Sequence, residues 1–224
     1  MKRFKVFSVA TVLAIGYLQQ PVSLFATYDD VKSEYSSTFS SSTFRQSEIE
    51  QLRADLDYIR NIEFDDLQEF FKENREWVEA VDNKLAEFLK IDHLHTLSSH
   101  NGYAELVKRL GLLYNADFSI ESYGVERNVL DLFFHWTRYQ LRGGLMTNSM
   151  DPRANVRVLR TEARAAWTVL RNNYPNIRNN GHENSLYNQY WCHFEFGTFT
   201  RNWDIEEGRS DVSMNEVILA RCNP

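Results

Sequence analysis

Two cysteines, Cys192 and Cys222, stand 30 positions apart, and the 224 residues hold no others. Nothing else in the sequence limits the fold so strongly, because a bond between them closes a loop over the C-terminal segment and ties down the chain end. Whether they pair depends on the compartment, and the first residues address that. Met1-Lys2-Arg3-Phe4-Lys5 is a cationic stretch, followed by an uncharged, mostly apolar run from Val6 to Leu18. That run is shorter than the roughly 20 residues a membrane-spanning helix needs. Gln19-Gln20-Pro21 breaks it, and Ala26 supplies a small residue for cleavage. The pattern predicts a signal peptide over residues 1–26 and a secreted or envelope-associated mature chain, starting near Thr27, without a transmembrane segment. In an exported chain an even cysteine count predicts a disulfide. Closing a loop of this length restricts the unfolded chain by about 3–4 kcal/mol. A nucleophilic cysteine needs a free thiolate, which the bond would remove.

Charge is distributed unevenly. The formal net charge of −6 becomes −9 once the three cations of the leader are gone. Residues 27–100 carry 17 acidic and 8 basic side chains, whereas residues 149–224 carry nine of each, and all nine basic ones are arginine. An acidic front half and the lack of a basic stripe argue against nucleic acid as a partner. Arginine's planar fork favours fixed pairing with carboxylates, so the C-terminal arginines are read as structural pairs first and ligand contacts second.

The hydrophobic pattern is mainly helical. Residues 27–46 are Ser/Thr-rich without apolar periodicity and read as a flexible leader. Ser47-x-x-Glu50 reads as a capping box opening a helix with Ile49, Leu52, Leu56 and Ile59 on one face. Asp65 reads as the cap of a second amphipathic helix running to Leu89, with the acidic residues on the outer face. His93, His95 and His100 fall in a Ser/Asn/Gly-rich stretch read as a loop, with no carboxylate or cysteine cluster to complete a metal shell. No metal and no cofactor is expected. Helices are predicted again over Tyr103–Tyr114 and about Val125–Leu141, the latter with His135 as a hydrogen-bonded core residue. Gly143-Gly144 reads as its stop and as a module boundary. A helix over Arg157–Asn172, a turn-rich loop over 172–184 and a capping box at Ser213-x-x-Glu216 complete the pass. The expected fold is mainly α: an acidic helical region over residues 47–142 and a small, mostly helical, disulfide-closed module over 149–224.

The C-terminal run carries the remaining chemistry. It reads "YNQYWCHFEF" from Tyr187, then Trp203-Asp204-Ile205-Glu206, Arg209, Asp211-Val212 and finally Cys222-Asn223-Pro224. This resembles the C-terminal signature of DUF2599, a family of exported bacterial proteins with a Cys-His pair, a Trp-Asn-Leu-Glu-x-x-Arg-Pro-x-Val run and a closing Cys-Asn-Pro. Asp204 departs from the usual Asn and Ser210 from the usual Pro. The resemblance covers about residues 149–224 and implies the exported compartment and the disulfide, but no activity. His193, Glu195, Asp204, Glu206 and Arg209 can be read as an acid–base cluster with an arginine for an anionic substrate. In the alternative, Glu206 and Arg209 pair across one turn, and His193 is a hydrogen-bonded neighbour of the disulfide. The alternative is preferred, because no nucleophile elbow, zinc-binding His pair or phosphate loop accompanies the cluster. Two function classes follow. One is an exported binding or interaction protein, its partner an unidentified protein or envelope component. The other is a secreted hydrolase or toxin-like enzyme using His193 with Glu206 and Arg209. Burial of His193 against backbone favours the first; a cleft shared with Glu206 or Asp204 and with Arg209 favours the second.

Overall fold

The computed structural model describes residues 44–90, 100–116, 118, 127–209 and 213–222. The expected signal peptide, most of the Ser/Thr-rich leader, His93 and His95 lie outside them. Helix α1 (Gln46–Arg60) buries Leu52, Leu56 and Ile59, the stripe the periodicity predicts. Its start differs from the expected Ser47–Glu50 box. Arg45 has extended backbone, and the Glu48 carboxylate accepts its N–H at 2.8 Å and its guanidinium at 3.1 Å. Phe44 meets Phe88 edge-on at 5.5 Å, so the last leader residues are packed rather than loose.

The expected second helix is two. α2 (Phe64–Glu73) and α3 (Arg75–Leu89) meet at Asn74, whose side chain donates to the Phe70 carbonyl and so closes α2. Glu63 precedes α2, which places Asp65 in the first turn rather than at the cap. α3 buries Val78, Val81, Leu85, Phe88 and Leu89. α4 (His100–Tyr114) begins at a histidine read as loop and buries Leu106, Val107, Leu110 and Leu113.

The largest correction concerns Val125–Leu141. Among the described residues there, only α5 (Arg127–Leu130) is helical; β1 (Phe134–Arg142) follows, and a hairpin leads into β2 (Leu145–Pro152). An apolar run with aromatic and β-branched residues is ambiguous by periodicity, and the turn decides it. Gly143 and Gly144 have φ of 58° and 87°, the two positive values that a tight hairpin turn requires. The glycine pair therefore joins two paired strands instead of stopping a helix. His135 is exposed on β1, not in the core. It is also the extra residue of a β-bulge, since Phe134 pairs with Pro152 and Trp136 with Asp151.

Strand β2 is central, antiparallel to β1 on one side and to β3 (Trp203–Glu206) on the other. Between them come α6 (Ala154–Val158), α7 (Arg160–Asn173), α8 (Pro175–Arg178) and α9 (Glu183–Phe196); α10 (Met214–Leu219) ends the described chain. The helix expected over 157–172 is thus broken at Leu159, which is extended, and the expected loop over 172–184 holds the short α8. The Ser213–Glu216 capping box forms as expected, the carboxylate accepting the Ser213 N–H at 2.7 Å. A disulfide joins Cys192 on α9 to Cys222. The fold is mainly α, with amphipathic front helices and a disulfide-closed, largely helical C-terminal part.

Phe44–Pro224 form one compact unit. Helices α1, α3 and α4 pack on α6 and α7, and one apolar core runs through both halves. Polar bonds cross the same seam. Tyr114 donates to buried Glu162 at 2.9 Å and Asp82 accepts the Thr161 N–H at 2.8 Å, while within the C-terminal half Asn155 also donates to Glu162, at 3.2 Å.

Candidate functional site

The C-terminal signature converges where α9 crosses β3. Positions 185, 189, 192 and 193 share the buried side of α9, as the spacing of three and four residues requires. The Gln189 amide donates to the Glu206 carbonyl at 3.1 Å and accepts the Glu206 N–H at 2.7 Å. One side chain thereby pairs with the strand edge as a neighbouring strand would. His193 Nε2 lies 3.0 Å from the Asp204 carbonyl, and its ring stacks on Trp203 with centroids 6.0 Å apart and planes 11° from parallel. Gly197 ends α9 against the same imidazole; a Cβ there would stand 3.0 Å from His193 Nδ1.

The three carboxylates expected beside His193 pair with arginines. Asp204 bonds the Arg142 guanidinium and accepts from Ser149 Oγ at 2.6 Å. Glu206 holds Arg209 through two bonds, of 2.6 and 3.1 Å. Glu195 pairs with Arg160, on the exposed side of α9. The structure thus brings His193 and the Asp204 backbone together, and Glu206 and Arg209 together; among the described residues it does not bring an imidazole and a carboxylate into one open site. Asp211, Val212, Asn223 and Pro224 lie outside the described residues.

Arg157 is the charged keystone of this region. Its side chain is 1% exposed. Its N–H groups reach the carbonyls of Pro152 at 2.7 Å, Thr198 at 2.7 Å, Thr200 at 2.6 Å and Arg201, and the Asp151 carboxylate at 3.1 Å. The guanidinium also lies over Phe64 at 4.8 Å and Trp203 at 5.6 Å. Burial, offset in part by Asp151, lowers its pKa to about 10, so it stays charged at neutral pH.

On the outer side of Arg157 opens a cleft of about 400 Å³, between the α1–α2 turn and the corner where β2 enters α6. Arg60 and Arg153 line it and donate to the same acceptor, the Asp131 carbonyl, at 3.0 and 2.8 Å. His135 reaches the cleft from the bulge in β1. Burial first, then Arg153, lowers the His135 pKa, and burial first, then Arg60, lowers that of Arg153. In each the neighbouring guanidinium comes second to burial, and Asp151 opposes both. Sequence reasoning missed this cleft because Arg60 and Arg153 are 93 positions apart. The only local signal was the density of arginine after residue 149.

Among the described residues, no group of three or more His, Cys, Asp or Glu side chains is placed to hold a metal ion. Among them also, no helix is long and apolar enough to cross a membrane. No curated protein and no solved structure matches the chain. The three strands, the α9–β3 crossing, the disulfide and three of the four arginines of the cleft all fall within one stretch. That stretch, residues 134–224, matches the family model described as Protein of unknown function (DUF2599).

Proposed function

We propose that this is an exported binding or interaction protein, without catalytic activity of its own, acting at the cell envelope or outside the cell on an unidentified protein or envelope component. The observation that carries the reading is the environment of His193. It is 6% exposed, bonded to a backbone carbonyl and stacked on a buried indole, while Asp204, Glu206 and Glu195 each face an arginine. General acid–base work requires a group within reach of substrate, and this imidazole is enclosed by its own fold. The disulfide agrees with an oxidising compartment. The acidic outer faces of α1 to α3 and the exposed rings of Tyr58, Tyr139 and Phe196 supply contact surface. In the alternative, a secreted hydrolase or toxin-like enzyme, His193 and Glu206 must open to solvent.

Carbethoxylation of the folded, disulfide-intact protein, mapped by mass spectrometry, separates the two. Exposed His135 and His182 are expected to react quickly and His193 only on unfolding. His193 reacting as fast as His182 would return it to the list of catalytic residues. Export is tested separately, by the N-terminus of the protein recovered outside the cytoplasm, expected at or near Thr27.

A further inference from the structure

The cleft on the outer side of Arg157 is lined by four arginines, Arg60, Arg153, Arg157 and Arg201, against three acidic residues, Glu63, Asp65 and Asp151. The Asp131 carbonyl gathers the guanidiniums of Arg60 and Arg153, each spending one N–H on it. Among the described residues no carboxylate lies within ion-pair distance of either. The acidic residues at the cleft are otherwise placed: Asp151 bonds Arg157 at 3.1 Å, Asp65 faces Arg201 at 3.8 Å, and Glu63 is exposed on the rim. Two like charges held by one dipole repel each other, and an anion bridging them would relieve that repulsion. The β-bulge adds a third donor, since extra residues of this kind re-aim a side chain away from the ladder, and here His135 is turned to the cleft.

We propose that the cleft binds a small phosphate monoester, its phosphate held by the free N–H groups of Arg60 and Arg153 and by the His135 imidazole. A dianion balances two unpaired guanidiniums, whereas a single carboxylate leaves one charge uncompensated. A tetrahedral phosphate also offers three oxygens to donors arriving from three elements, α1, β1 and the β2–α6 corner, while a planar carboxylate offers two. Guanidinium forks suit phosphate geometry. The volume of about 400 Å³ exceeds what a phosphate fills and falls in the range of small-molecule pockets. Phe64, Pro152 and Ala154 give the remaining space an apolar wall for a compact organic group.

The test titrates phenyl phosphate, inorganic phosphate and benzoate into the disulfide-intact protein by calorimetry and by the arginine side-chain NMR signals. Phenyl phosphate is expected to saturate with a Kd below about 1 mM and to shift the Arg153 Nε–Hε signal. Benzoate is expected to bind at least about tenfold more weakly, and Arg60→Gln and Arg153→Gln each to weaken phenyl phosphate by about tenfold or more. Arg178→Gln, at an exposed position of α8 outside the cleft lining, should leave the affinity unchanged. The proposal is overturned if binding does not saturate, if benzoate binds equally well, or if both cleft variants keep full affinity. Should a variant fail to fold, the Arg153 signal in the unaltered protein decides alone. 31P NMR of the same samples keeps the two readings apart. Hydrolysis of bound phenyl phosphate would uphold the site and sink the non-enzymatic reading, while absence of binding sinks the site and leaves that reading standing.

Discussion

Replacing Arg157 by methionine tests whether one buried cation organises the junction of β2, α6 and the loop before β3. Methionine keeps the apolar stem out to about the position of Nε and lacks the guanidinium beyond it. It removes five hydrogen bonds, four to the carbonyls of Pro152, Thr198, Thr200 and Arg201 and one to Asp151. Hydrogen bonds to charged groups contribute about 1.5–3 kcal/mol each, but they share one guanidinium and do not add. Thr200 and Arg201 are exposed, so their carbonyls can turn to water once released. What stays costly is the half-buried Asp151 left without its cation, together with the lost stacking on Phe64 and Trp203. Breaking a buried pair from one side costs about 3–5 kcal/mol. For a chain of this size that corresponds to a fall in Tm of roughly 6–20 °C. Arg157→Lys should recover little, because one ammonium has three donors and cannot reach carbonyls on both sides of the fork. Urea and thermal unfolding of the two variants give the values, and limited proteolysis near residues 198–201 reports the released loop. A loss below about 1 kcal/mol in Arg157→Met, or full rescue by lysine, would refute the keystone argument.

Glu162 should give the fold a pH dependence of defined sign. Burial, opposed by bonds from Tyr114 and Asn155, raises its carboxyl from 4.5 to about 7. The folded chain then holds this proton more tightly than the unfolded chain does. The stabilising contribution is complete below pH 4.5 and is lost as pH rises through 7, on the order of 3 kcal/mol in all. The difference in unfolding free energy between the natural protein and Glu162→Gln should show that slope, and a pH-independent difference would contradict it. Cys192→Ser should release mainly the chain end. The cysteines and Val217 form a small cluster apart from the main core, so hydrogen exchange should rise first in residues 213–222 while α1, α3 and α4 stay protected. The total loss should be about 3–4 kcal/mol from the 30-residue loop; simultaneous deprotection of the front helices would show that the bond holds more than the tail.

Local order was legible from the chain alone wherever one signal dominated. The stripe Leu52, Leu56, Ile59 buries as its spacing demands, and Ser213-x-x-Glu216 caps α10 because both partners lie within one turn. Cys192 and Cys222 pair with no competing thiol, and Glu206 finds Arg209 three residues away. Each of these depends on contacts a few residues apart, or on a choice with one option. The region from Val125 to Leu141 shows the opposite case. Its apolar residues suit a helix or a strand equally, and the decision came from pairing with β2 through the Gly143–Gly144 turn. Once that segment became a strand, His135 left the core and entered a bulge beside the cleft. His193 carried the same name and neighbours under either functional reading; only the approach of β3 showed that its ring lies on Trp203 and its nitrogen on a backbone carbonyl. Gln189 gave no signal at all, since pairing with a strand edge requires that edge to be present. The charge of the cleft is the clearest instance. Thirty-one acidic against 25 basic residues describe an acidic chain, yet folding gathers Arg60, Arg153 and Arg157 from distant positions into one place, because electrostatics follows distance in space and not position along the chain.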